Sequence, residues 1–271
     1  MATAAHGIPR LGLGTFTVTG DIGVPAMLEG FELGYRHIDT AQGYGNESGV
    51  GEAIVRSGLK RSEIFVTTKV DRRNLGRNRL GQSLLESRER LRIEQIDLVL
   101  IHWPAGDHGP RLPEYMEALA RAKSDGLVRL IGVSNFTRKL LDAAVDVVGA
   151  GEIANNQVEV HPYLQNRALR AHAARLRIST TAYMPIAGGK VMTDPTIIAI
   201  AERHDATAAQ VALAWLMREG VIVIPSSKKR MHLQSNLKAA ELTLTDAEAA
   251  TIQSLDCGLR LIDGAFAPDW D

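Results

Sequence analysis

The chain has 271 residues, 45% hydrophobic and 23% charged, and Lys+Arg equals Asp+Glu at 31 each. This length suits one large α/β domain, the neutral balance offers no field for nucleic acid or a membrane surface, and the lone Cys257 excludes an internal disulfide and fits a reducing compartment. The N-terminal MATAAHGIPRLGLG lacks the basic start and long apolar run of a signal peptide, and no apolar stretch is long enough for a transmembrane helix, so a cytoplasmic protein is expected.

The first β-rich run is LGLGTF (11–16), followed by RHIDTA (36–41). NESGVGEAIVRSG then sets Val50, Ala53 and Ile54 on one helical face and stops at Gly58. IFVTTKV (64–70) is a third strand, and NRLGQSLLESRERL aligns Leu80, Leu84 and Leu91 on a helix. IDLVLIHW (96–103), VRLIGVSN (128–135), NNQVEVH (155–161), ISTTAYMP (178–185) and GVIVIPS (220–226) complete eight strands. The middle runs are nearly continuous in apolar residues, as parallel strands covered on both faces require. TAAQVALAWLMREG starts a helix at a capping Thr207 and ends at Gly220, and Thr245 with Glu248 forms a capping box for a last helix.

Eight strands alternating with helices in this length favour a closed (β/α)8 TIM barrel over an open doubly wound sheet. Residues 1–271 are expected to form a single barrel domain with a short C-terminal tail. Gly12-Leu13-Gly14 would need a glycine at position 17 for a dinucleotide fingerprint, and that residue is Thr17.

Chemistry in such barrels sits at the C-terminal ends of the strands. Asp39 ends the second run, with Tyr44 in the loop after it; Lys69 ends the third; His102 ends the fourth, before Trp103 and Pro104. Each alone has a structural explanation: a snorkelling lysine, a satisfied core histidine, a packing tyrosine. Four ionisable groups at one end of consecutive strands do not, because buried ionisable groups are costly without partners. A phenol has a pKa of about 10, and a neighbouring ammonium favours its ionisation. Lys69 would supply the ammonium, Asp39 would hold it, and His102 would orient a carbonyl oxygen beside the Tyr44 hydroxyl. Such a set protonates an oxygen as it becomes an alkoxide, but it holds no hydride source, so a cofactor is needed.

The motifs GYRHIDTAQGYGNE, IFVTTKV, VLIHWP, IGVSNF, NQVEVHP, AYMPI and IPSS fall in the order of the aldo-keto reductase family, which the sequence resembles over essentially its whole length, closest to the short bacterial 2,5-diketo-D-gluconate or methylglyoxal reductase type. The resemblance implies a (β/α)8 barrel that binds extended NADPH without a Rossmann domain. It implies Asp39, Tyr44, Lys69 and His102 as the catalytic tetrad, with Tyr44 as general acid. It also implies Ser134, Asn135 and Gln157 at the nicotinamide carboxamide, Tyr183 stacked on the ring with Pro185 and Ile186 beside it, and Thr15 and Phe16 after the first strand. Phe16, Tyr44, His102 and Trp103 would line a pocket for a small hydrophilic carbonyl compound.

The family often reads K-S-x-x-x-x-R-x-x-x-N around the 2′-phosphate. This chain has Ser226 and His232 in place of the lysine and arginine, keeps Ser227 and Asn236, and offers Lys228 and Arg230 as other cations. NADPH is therefore the expected cofactor, with NADH possible. A monomer acting on a small molecule, with no nucleic acid or membrane partner, is expected. His6, His108, His161, His172 and His204 show no metal-ligand spacing, and no metal is expected. A barrel that binds NADP(H) as a redox sensor with little turnover is the alternative. The intact tetrad argues against it.

Overall fold

The computed structural model describes residues 2–106 and 109–271; His108, one of the histidines considered above, lies outside them, as do Met1 and Asp107. All eight expected strands form: β1 (Leu13–Gly14), β2 (His37–Asp39), β3 (Phe65–Val70), β4 (Ile96–Ile101), β5 (Val128–Ser134), β6 (Ile153–Glu159), β7 (Ser179–Tyr183) and β8 (Ile222–Val223). They are parallel and lie in one sheet in chain order. The first and last strands meet at a parallel bridge between Leu11 and Val223, where Gly12 N donates to Val223 O and Val223 N donates to Arg10 O, each at 2.9 Å. The sheet is thereby closed into a barrel.

The helices lie between and after the strands: α1 (Gly23–Leu33), α2 (Glu47–Arg56), α3 (Arg77–Leu91), α4 (Leu112–Ser124) and α5 (Arg138–Val148), then α6 (Arg167–Arg175), α7 (Pro195–Arg203), α8 (Ala208–Arg218), α9 (Arg230–Lys238) and α10 (Asp246–Gln253). The capping boxes expected at α8 and α10 are both present: Thr207 with Gln210 and Thr245 with Glu248 each exchange two bonds. α2 ends at Arg56, before the expected stop at Gly58, which has left-handed φ. Val50, Ala53, Ile54, Leu80, Leu84 and Leu91 are buried as their spacing predicts.

Most strands are shorter than their apolar runs. β1 and β8 shrink to two residues because pairing continues irregularly beyond them: Thr15 N donates to Asp39 O at 3.0 Å and Gly14 N to Pro225 O at 3.1 Å. β6 instead starts earlier, at Ile153, and its register against β5 shifts between Ile131 and Gly132. Gly132 suits that crowded position, since a Cβ there would sit 2.6 Å from Asn155 O and 2.7 Å from a Leu100 methyl. Gly132→Ala is expected to lose about 1–3 kcal/mol by overpacking. Urea unfolding with an unchanged slope and a lower midpoint is the check.

Two cores follow from the alternation of side chains along each strand. Ile38, Val66, Val70, Val99, Ile131 and Val133 face outward into the helix layer. Phe65, Leu98, Leu100, Ala154 and Ile222 face inward and meet Ile8, which plugs one end of the barrel. The same inward faces carry polar groups further along: Asp39 two residues after His37 on β2, and Thr67 then Lys69 after Phe65 on β3. One end of the barrel interior is thus apolar and filled, the other polar.

Candidate active site

Lys69 is fully buried, and its ammonium spends its donors on three oxygens. It pairs with Asp39 Oδ1, donates to Thr40 O at 2.8 Å, and reaches the Tyr44 hydroxyl at 3.3 Å. The other Asp39 oxygen accepts from Gln157 Nε2 at 2.7 Å, so β2, β3 and β6 are joined across the barrel. His102 lies against Tyr44 edge-on, ring centroids 5.6 Å apart, and Phe16 packs on Tyr44 in the same way at 5.1 Å. The four tetrad candidates therefore converge.

Electrostatics refine the expectation drawn from sequence. Burial would lower Lys69, but the Asp39 carboxylate and Tyr44 phenol together outweigh it, and the group stays raised and charged. Burial raises Tyr44 above the usual phenol value, Lys69 pulls it back, and Asp39 adds to the rise. The net direction is upward, where the ammonium alone predicts a lowered phenol: desolvation outweighs the neighbouring charge. Burial, then the Lys69 charge, push His102 down to about 3, so its imidazole is neutral at pH 7.

Tyr44 closes a short 3-10 turn, Gln42–Tyr44, that ends at Gly45 with left-handed φ. Gln42 pins this turn. Its amide nitrogen lies within 3.1 Å of Ser83 O, Ser83 Oγ and Ser87 Oγ on α3, and its oxygen accepts from Asp71 N at 3.0 Å and Asn74 Nδ2 at 2.8 Å. The turn is held to both α3 and the segment after β3.

Ser134, Asn135, Gln157 and Tyr183 gather at the ends of β5, β6 and β7. Ser134 Oγ donates to Gln157 O at 2.8 Å. Asn135, with left-handed φ, donates to His102 O at 3.1 Å and accepts from the Tyr183 hydroxyl at 2.8 Å. Pro185 is buried and Ile186 half-buried, just beyond Tyr183. Thr15 is buried, with its hydroxyl donated to Asp39 O at 2.9 Å, whereas Phe16 is 68% exposed and presents an open aromatic face.

Ser226, Lys228, Arg230 and His232 are exposed around the start of α9, with Ser227 half-buried and Asn236 buried. No side chain caps α9, and the N–H groups of Arg230 and Met231 bond no described residue, beside Lys228 and Arg230. Ser226 bonds Thr17 across the rim at 2.9 Å. Arg230 is engaged with Glu32 at 2.9 Å, so it is less free for an anion than the sequence implies.

The C-terminal tail covers one side of the mouth. Trp103 meets Phe266 at 4.7 Å and Trp270 at 6.2 Å between ring centroids. Sequence reasoning missed two tail-related residues. Glu159, fully buried on β6, accepts from His161 at 3.0 Å and from the amides of Leu261 at 2.8 Å and Ile262 at 2.9 Å. Arg260 stacks on Trp270, its guanidinium carbon 3.7 Å from the ring centroid. The signal for Glu159 was present: it lies two residues after Gln157, on the same strand face. Arg260 stands in an aperiodic tail and had none. Among the described residues, no group of three His, Cys, Asp or Glu side chains could hold a metal, and no helix is long and apolar enough to cross a membrane.

Comparison with known proteins gives a consistent result. The sequence profile of the Aldo/keto reductase family matches residues 10–257. The chain is 49% identical to methylglyoxal reductase DkgB of Escherichia coli O157:H7, over 97% of this chain and 99% of that one. It is 47% identical to the DkgB of Yersinia pestis with the same coverage. A crystal structure assigned as 2,5-diketo-D-gluconic acid reductase B superposes with a TM-score of 0.95 at 40% identity, covering 100% of this chain and 98% of that one. The Bombyx mori aldo-keto reductase in complex with NADP superposes with a TM-score of 0.88 at 31% identity, over 97% and 94% of the two chains.

Proposed function

The chain belongs to the aldo/keto reductase family, enzymes of NADP(H)-dependent carbonyl reduction, and from that premise we propose that it reduces a small hydrophilic aldehyde or ketone, with Tyr44 as the proton donor. Methylglyoxal and 2,5-diketo-D-gluconate are the natural substrates to try, since relatives carry those names. The observation that carries the reading is the Lys69 ammonium, buried between Asp39 and the Tyr44 hydroxyl at the ends of adjacent strands.

The residues present fit the cofactor. Gln157 Oε1 takes no hydrogen bond among the described residues, and Ser134 and Asn135 flank it. These groups would hold a carboxamide, the Tyr183 face would stack on the nicotinamide beside Pro185 and Ile186, and the uncapped α9 terminus with Ser226, Ser227, Lys228, His232 and Asn236 would meet the 2′-phosphate. Bound in its reduced form, the nicotinamide supplies the hydride. The protein does the rest. Neutral His102 donates a hydrogen bond that orients the substrate oxygen without giving up its proton. Tyr44, kept protonated by burial, delivers the proton to that oxygen as charge develops there. Lys69 then stabilises the resulting phenolate, and Asp39 with Gln157 keeps the ammonium in place. Phe16, edge-on against Tyr44, and Trp103, held by Phe266, would form the apolar walls against which the substrate lies.

The test is oxidation of NADPH by the purified protein with methylglyoxal and with 2,5-diketo-D-gluconate, and of NADH in parallel. No oxidation of either cofactor with any small carbonyl compound would sink the reading.

Cofactor choice is testable at the departure from the family pattern. His232→Arg is expected to raise the NADPH-to-NADH efficiency ratio roughly fivefold, the size of an exposed, solvent-screened ion contact of about 1 kcal/mol. A guanidinium presents paired donors to a phosphate where an imidazole presents one N–H. The measurement is KM and kcat for both cofactors at one ionic strength. Equal changes for the two would mean that residue 232 does not face the 2′-phosphate, and Lys228 and Arg230 would take its place.

A further inference from the structure

Arg260 lies in the tail segment that covers the mouth; Glu159 and Asp263 offset its charge, but its donors are left over. Its Nη1 is covered by protein yet bonds to no described residue. The acids around it accept their hydrogen bonds from other groups. Glu159 is used by His161 and by the amides of Leu261 and Ile262, and Asp263 accepts from Trp270 Nε1 at 2.8 Å. A partly desolvated guanidinium without a hydrogen-bonding partner is costly.

The group is also fixed in place. Its plane stacks on Trp270, and the backbone just beyond it is clamped to Glu159. The far end of the tail is held as well, where Arg138 N donates to Asp271 Oδ2 at 2.7 Å. Trp270 connects this cation to the reacting end of the barrel, because its ring also faces Trp103, the residue after His102. With Nη1 covered, the Nε and Nη2 edge of this rigid, planar fork is left to match a carboxylate in bidentate fashion.

We propose that Arg260 is a specificity-determining residue that binds the carboxylate of an anionic carbonyl substrate at the tail side of the mouth, which rests on the reductase reading above. The substrate class is then a small oxo acid rather than a neutral aldehyde. A cofactor phosphate carries the same anionic chemistry, and the experiment separates the two sources.

Wild type, Arg260→Met and Arg260→Lys are compared in two ways. Steady-state kinetics with NADPH use 2,5-diketo-D-gluconate, which carries a carboxylate, and methylglyoxal, which does not. Calorimetric titration of the protein with NADP⁺ bound uses D-gluconate, a carboxylate that is not reduced, and NADPH is titrated separately. Arg260→Met is expected to lower kcat/KM for the diketo acid about 10²-fold, mostly through KM, the scale of losing one partner of a desolvated charge pair. D-gluconate binding should weaken in parallel, with methylglyoxal turnover and NADPH affinity unchanged. Arg260→Lys should restore part of the binding. Equal losses for both substrates would overturn the proposal, because Arg260 would then only hold the tail. Weaker NADPH binding with D-gluconate unaffected would overturn it too, in favour of a cofactor phosphate. If wild type oxidises NADPH with neither substrate, the reductase reading fails, while the D-gluconate titrations still decide the role of Arg260.

Discussion

Tyr44→Phe is expected to cut carbonyl reduction about 10²–10⁴-fold, the contribution of a positioned general acid. The loss should fall on kcat. The phenol oxygen makes one long contact, 3.3 Å from Lys69 Nζ, and the ring contacts with Phe16 and His102 survive in phenylalanine. Stability should therefore change by no more than about 1 kcal/mol, the net worth of one hydrogen bond. The pH dependence carries a second signature. The donor must be protonated, and burial raises its pKa, so wild-type reduction should stay flat through neutral pH and fall only in alkaline solution. In the mutant that alkaline limb should vanish. The checks are single-turnover rates, NADPH affinity by fluorescence, and the pH–rate profile; near wild-type turnover would rule out Tyr44 as the donor.

Lys69→Met should have the other large effect, and it acts on stability as well as on rate. The substitution leaves the Asp39 carboxylate buried with Gln157 as its remaining side-chain partner. Breaking one side of a buried ion pair costs about 3–5 kcal/mol. A dead enzyme would then say little, because loss of the fold gives the same result. Asp39→Asn combined with Lys69→Met removes both charges and should recover most of the stability. It should not recover the rate: the phenol still lacks the cation that eases its ionisation, so its pKa should climb further and the alkaline limb of reduction should move to higher pH. Thermal unfolding of the single and double mutants, with pH–rate profiles of both, makes the comparison. A double mutant that is stable and regains turnover would show that Lys69 matters only for folding.

The sequence carried the architecture because parallel barrel strands are buried on both faces: IDLVLI is apolar but for Asp97, and in IFVTTKV even Thr67, Thr68 and Lys69 are buried. It carried less about where pairing ends. The two-residue extents of β1 and β8 depend on the backbones they meet, Val223 and Arg10 among them, and no local pattern encodes that. The convergence of Asp39, Tyr44, Lys69 and His102 was legible because each stands at the same end of consecutive strands. The direction of the Tyr44 shift was not, because the number of atoms that bury a phenol is a tertiary property. Gln42 was invisible for a similar reason: its partners lie on α3 and after β3, far along the chain. Arg260 was hidden by the lack of any period between Cys257 and Asp271.

The bridge between Leu11 and Val223 has a consequence for how the chain reaches this state. It joins segments near opposite ends of the sequence, and loop-closure entropy makes such distant pairings late and slow. During synthesis β1 precedes every other strand, and one of its edges must wait for β8, the last of the described strands to leave the ribosome. Until then the growing sheet has two open edges, each able to recruit a strand from another chain. The nascent barrel is thus most vulnerable to aggregation just before it is complete, and a substitution that weakens the Arg10–Val223 seam should depress the yield of folded protein more than it depresses the stability of what does fold.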